Sequence, residues 1–131
     1  WMFKVQSNIE NGTLRGIQLA AAEAFNTNTP EWHHENNIEN YRRRRTIAEG
    51  IMHVLGCTFD PTQVGMFLWG KIPDKYEDVE QLTEKVLHEA RVFITPGFIF
   101  GKNGRRYIRI SLCAKDDKIK EALERIKKVF K

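Results

Sequence analysis

Arg109 is the one charge in the apolar run Tyr107-Ile108-Arg109-Ile110-Ser111-Leu112. Two-residue alternation places Tyr107, Arg109 and Ser111 on one face and Ile108, Ile110 and Leu112 on the other. Such a strand can pack its apolar face on helices while its polar face lines a cleft. An arginine there suits a carboxylate, because its planar fork pairs with both oxygens. An exposed strand face with a routine arginine satisfies the same pattern.

Other chemistry finds less support. A nucleophilic triad needs a nucleophile, a base and an orienting group in one place. Cys57, Cys113 and four histidines are available, but no local signature joins them. His33 and His34 are adjacent and point apart on a helix. His53 and Cys57 are four residues apart, half of a zinc pattern, yet no second pair follows. No metal is expected. The run Arg42-Arg43-Arg44-Arg45 wraps a helix, since successive residues turn by about 100°. It makes no single basic stripe, and Glu35, Glu39 and Glu49 are spaced to pair with some of it. Gly97, Gly101 and Gly104 lack the spacing of a phosphate loop, and no Gly-Lys-Ser/Thr follows.

The totals bound the rest. A length of 131 residues fits one domain, and 41% hydrophobic residues can form a modest core. The net charge of +4 is a mild excess that speaks to solubility more than to a partner. The aromatic motif of an RNA-binding sheet is absent, so no nucleic-acid partner is expected. No apolar run approaches the roughly 20 residues that span a bilayer, so no membrane partner is expected. The N-terminus lacks a signal-peptide pattern, and two cysteines make no disulfide framework. A reduced, cytoplasmic protein is the expectation. Trp1 in first place is what an excised piece would show.

The elements that must position Arg109 follow from periodicity. Residues 13–25 place Leu14, Ile17, Ala21, Ala24 and Phe25 on one helical face. The stretch 26–30 ends that helix at Pro30. A second helix is predicted over 30–55, burying Tyr41, Ala48, Ile51, Met52 and Leu55, with Gly56 as its stop. Residues 64–72 read as a strand that Pro73 ends. Asp74 with Glu77 reads as a capping box, before a helix that buries Val79, Leu82, Val86 and Leu87. Residues 91–94 read as a short buried strand and 95–97 as a turn. Residues 101–104 read as another turn and 107–112 as the third strand. Asp116 and Asp117 open a last helix whose apolar stripe is Ile119, Leu123, Ile126, Val129 and Phe130. The order is α-α-β-α-β-β-α, an α+β fold with helices on a small, mainly antiparallel three-stranded sheet.

Residues 95–126, TPGFIFGKNGRRYIRISLCAKDDKIKEALERI, resemble the end of class I/II aminotransferases. There a Pro-Gly turn, a Phe-Gly and a Tyr-x-Arg strand precede an amphipathic helix. Residues 65–74 resemble the strand that opens that family's small-domain sheet. Residues 41–57 resemble its Tyr-x-x-Arg-Arg helix. Residues 4–25, with Gly12 and Gln18, resemble the segment leading out of its large domain. The resemblance implies a connecting helix over 1–29 and a C-terminal small domain over 30–131. It implies pyridoxal 5'-phosphate as cofactor, held by a large domain outside this chain.

The resemblance further implies amino-acid and 2-oxo-acid substrates, a homodimer at full length, and an α-carboxylate gripped by Arg109. The loop 96–101 is expected to move as the small domain closes on substrate. The family's Ser-x-x-Lys segment, which supplies the Schiff-base lysine, is absent here. No catalytic or cofactor-binding residue is therefore expected in this chain, and the fragment alone is not expected to be catalytic. Arg105 and Arg106 depart from the family's small or acidic residues before the tyrosine, which puts substrate preference in doubt. A free-standing α+β module that binds a small carboxylate or a protein is the alternative.

Overall fold

The computed structural model describes residues 1–9 and 13–130. Gly12, one of the residues on which the resemblance of 4–25 rests, lies outside them. The chain forms two compact units, Trp1–Ile38 and Glu39–Lys131.

The first unit holds α1 (Met2–Ile9), α2 (Arg15–Thr27), α3 (Pro30–His33) and a π-helical turn, His34–Ile38. Thr29 starts α3 by accepting a hydrogen bond from the Trp32 N–H, with Pro30 in the first helical position, where its missing N–H costs nothing. Helix α2 buries no side chain, and Leu14, Ile17, Leu19 and Phe25 are all exposed. Residues 30–55 are helical throughout, as expected, with the π-helical turn between α3 and α4 (Glu39–Leu55). Helix α1 was not anticipated.

The second unit carries the core. Strands β1 (Phe67–Lys71), β2 (Thr95–Pro96) and β3 (Tyr107–Ser111) form an antiparallel sheet in the order β1-β3-β2. Ile108, Ile110 and Leu112 face α4, α5 (Val79–Lys85) and α6 (Asp116–Val129) among Ala48, Met52, Leu55, Leu82, Val86 and Ile126. The α+β class and the antiparallel three-stranded sheet are as expected. Among the described residues, no helix is long and apolar enough to cross a membrane.

Three local expectations are corrected. Residues 91–94 are not a strand: Arg91 is left-handed at φ 55°, Phe93 points outward, and pairing to β3 begins only at Thr95. The strand expected over 64–72 is shorter, because Gly65 turns the backbone at φ 95°. The capping box lies four residues later. Asp78 accepts from the Gln81 N–H while the Gln81 side chain accepts from the Glu77 N–H. Asp74 is engaged elsewhere, by Arg106.

The arginine run is ion-paired. Arg42 pairs with Glu39, Arg45 lies 3.7 Å from Glu49, and Arg43 and Arg44 both reach Asp116, at 3.2 and 2.9 Å. Arg44 also donates to the Leu112 carbonyl, so one guanidinium ties α4 to the end of β3 and the start of α6. Hydrogen bonds from Arg44, then Arg43, hold the Asp116 carboxyl below its ordinary value of 3.8. A depressed carboxylate stabilises the fold fully above its unfolded value and loses that contribution as pH falls through the folded one. Asp116→Asn is expected to lower the urea-derived stability by about 1 kcal/mol at neutral pH. The gap from wild type should narrow as pH drops below about 4.

Candidate functional site

The pleat of β3 does what its alternation foretold. Ile108 and Ile110 are buried, and Arg109 lies on the opposite face, half-buried. Antiparallel register sets Trp69 on one side of Arg109 and Thr95 on the other. By the same pleat Phe67, Trp69 and Lys71 share its face, across from Ser111, Arg109 and Tyr107.

The Arg109 guanidinium lies over two aromatic rings, 4.1 Å from the centroid of Phe67 and 4.0 Å from that of Phe100. Each such contact is worth about 0.5–2 kcal/mol, depending on how far water is excluded. Trp69 stacks on Tyr107 at 5.5 Å and meets Phe100 edge-on at 5.9 Å. The rings hold the cation without consuming its N–H groups. The Arg109 side chain makes no hydrogen bond or ion pair among the described residues. An arginine fork pre-ordered on aromatic faces, with its donors uncommitted, is suited to bind a planar anion with two oxygens.

Phe100 comes from the connection between β2 and β3, two 3-10 turns at Gly97–Phe100 and Lys102–Arg106. The two turns touch through glycines. A Cβ on Gly104 would stand 1.9 Å from the Gly97 carbonyl oxygen, and one on Gly97 2.5 Å from that of Gly104. The turns use their own N–H groups: Gly101 donates to Phe98 and Gly104 to Gly101. Gly97 and Gly104 therefore serve close backbone approach, and Gly101 a backbone turn at φ 124°.

Arg106 is also accounted for. Its guanidinium donates to the carbonyls of Pro73, Tyr76 and Glu77 and pairs with Asp74. It is a tie between the β3 entry and the loop before α5, whereas Arg105 is exposed.

The remaining chemical residues stay apart. His53 packs its ring on Phe59, while Cys57 is buried and desolvation pushes its thiol up to about 12. Cys113 is exposed. No three His, Cys, Asp or Glu side chains gather around a metal position among the described residues. Phe67, Trp69 and Phe100 were not foreseen as partners of Arg109. The alternation of β1 gives Phe67 and Trp69 a shared face, but neither the register that brings them to Arg109 nor the turn that brings Phe100 is written in a single strand.

The model of the family described as aminotransferase class I and II matches residues 11–126. The chain belongs to this family. It is 34% identical over 124 residues to an LL-diaminopimelate aminotransferase of Halothermothrix orenii, covering 95% of this chain and 31% of that protein. Among solved structures it resembles a Methanococcus jannaschii protein described as similar in its active site to kynurenine aminotransferases. That likeness has a TM-score of 0.82 at 32% identity, over 98% of this chain and 34% of the other. Apo-BacF of Bacillus subtilis superposes with a TM-score of 0.77 at 31% identity, over 98% and 32% of the two chains. The chain thus spans about a third of the length of the aminotransferases it matches. The matched stretch includes the whole aromatic and arginine face.

The glycine contact that shapes the Phe100 turn is testable. Gly104→Ala must push the two turns apart, and overpacking of this kind costs about 1–3 kcal/mol. The melting temperature is expected to fall, whereas an unchanged one would mean the turns yield freely.

Proposed function

We propose that this chain is the C-terminal part of a pyridoxal-phosphate-dependent aminotransferase that moves an amino group between an amino acid and a 2-oxo acid. In this reading residues 1–29 connect from a large domain and residues 30–131 form the small domain. Arg109 receives the substrate α-carboxylate. The observation that carries the reading is the guanidinium of Arg109, ordered on Phe67 and Phe100 with its donors uncommitted, in a chain of this family. The exposed apolar side of α2, with Leu14, Ile17 and Phe25, supports a longer polypeptide over a free-standing module.

On the family likeness, the cofactor and its phosphate are assigned to parts of the polypeptide beyond this chain. When bound, the cofactor supplies an electron sink for charge at the substrate α-carbon. The work of this chain is to bind and orient. A two-pronged grip on the carboxylate fixes one end of the amino acid and limits rotation about the bond to the α-carbon. Positioning of this kind is worth on the order of 7 kcal/mol at the favourable end. A homodimer at full length is part of the same proposal.

Steady-state kinetics of the complete polypeptide test this. Arg109→Ala is expected to raise KM and lower kcat, with a combined loss of about 2–5 kcal/mol in kcat/KM. Arg109→Lys, which keeps the charge and loses the fork, should fall between. Unchanged kinetics in Arg109→Ala would refute the assignment.

A further inference from the structure

The geometry points to Gln63 as a positioning residue for Arg109, acting through Trp69. Strand β1 is an edge strand, so the outward N–H and C=O groups of Trp69 and Lys71 have no neighbouring strand. Lys71 is satisfied by an isolated bridge to Thr58, in both directions. At Trp69 a side chain takes the strand's place. Gln63 Oε1 accepts from the Trp69 N–H at 2.8 Å, and Gln63 Nε2 donates to the Trp69 carbonyl at 3.0 Å. Nε2 also donates to the Asp60 carbonyl at 3.0 Å, which anchors the amide to the preceding turn. A primary amide has the donor and acceptor to imitate a peptide here, and no charged or hydroxyl side chain matches both roles with one planar group.

What Gln63 fixes is the residue opposite Arg109. The Trp69 ring stacks on Tyr107 and meets Phe100 edge-on, and its Cη2 atom lies 3.0 Å from where a Gly97 Cβ would stand. Trp69 therefore braces both ends of the turn that lays Phe100 on Arg109. Loss of the Gln63 amide frees the Trp69 peptide, and the disturbance reaches the guanidinium through the rings.

This inference rests on the carboxylate role proposed for Arg109. The test uses the complete polypeptide labelled with 5-fluorotryptophan, its Trp69 resonance assigned with Trp69→Phe. Gln63→Met, of similar length without the amide, is expected to shift that resonance and raise KM for the amino acid about 10- to 100-fold, with a smaller change in kcat. Asp78→Ala, which removes the α5 cap, serves as a control for lost stability and should lower the melting temperature with KM held. In a Trp69→Ala background, Gln63→Met should have no further effect on KM. If Gln63→Met does not fold, Gln63→Asn keeps the amide, shortens its reach, and reads the same KM. An unchanged KM in the Gln63 variant, or an equal rise in Asp78→Ala, overturns the role of Gln63 alone. A wild-type polypeptide that turns over no amino acid overturns the aminotransferase reading beneath it, whatever Gln63 does to Trp69.

Discussion

The pleat of β3 is the constraint on which the site depends. Ile108, Ile110 and Leu112 are buried against α4, α5 and α6, and this single fact forces Arg109 outward. A one-residue slip would drive the arginine into the core and expose the three apolar side chains. At about 1.5–3 kcal/mol each, their exposure alone would cost roughly 5–9 kcal/mol. That rivals the whole stability of an ordinary domain, about 5–15 kcal/mol. The register of the site is therefore set by the core behind it and needs no ligand to define it.

The second requirement is an arginine that stays ordered yet uncommitted. A carboxylate neighbour would order it but occupy its donors. Aromatic faces order it and leave the N–H edge open, which is the solution here with Phe67 and Phe100. Their support comes from opposite directions in the chain. Phe67 arrives on β1, and Phe100 arrives on a turn fixed by the Gly97–Gly104 contact and braced by Trp69. Elsewhere the same side-chain type does structural work by the opposite means. Arg44 and Arg106 donate to carbonyls and carboxylates, and they tie elements together.

What the sequence made legible is what repeats locally. Strict alternation in residues 107–112 revealed β3 and the outward arginine, and the 3.6-residue stripe revealed α4 and α6. Asp74-x-x-Glu77 and Asp78-x-x-Gln81 both fit a capping pattern, and only the capture of Asp74 by Arg106, more than thirty residues later, separates them. Val92, Phe93 and Ile94 have strand composition, but a left-handed Arg91 and the position of β3 decide that pairing starts afterwards. The Asp116 partners of Arg43 and Arg44 lie 73 and 72 residues away along the chain, beyond the reach of any local spacing rule. The aromatic flanks of Arg109 were hidden for the same reason. Family likeness supplied the role proposed for the arginine, and tertiary register supplied its surroundings.

The central claim is that the Arg109 edge recognises a carboxylate and not merely a polar group. The direct measurement is calorimetric titration of the complete polypeptide with a 2-oxo acid and with the amide of the same compound, in wild type and Arg109→Gln. The account predicts that wild type prefers the acid by about 10-fold or more and that the preference collapses towards unity in Arg109→Gln. An acid-to-amide ratio that survives the substitution would contradict it and place carboxylate recognition elsewhere in the protein.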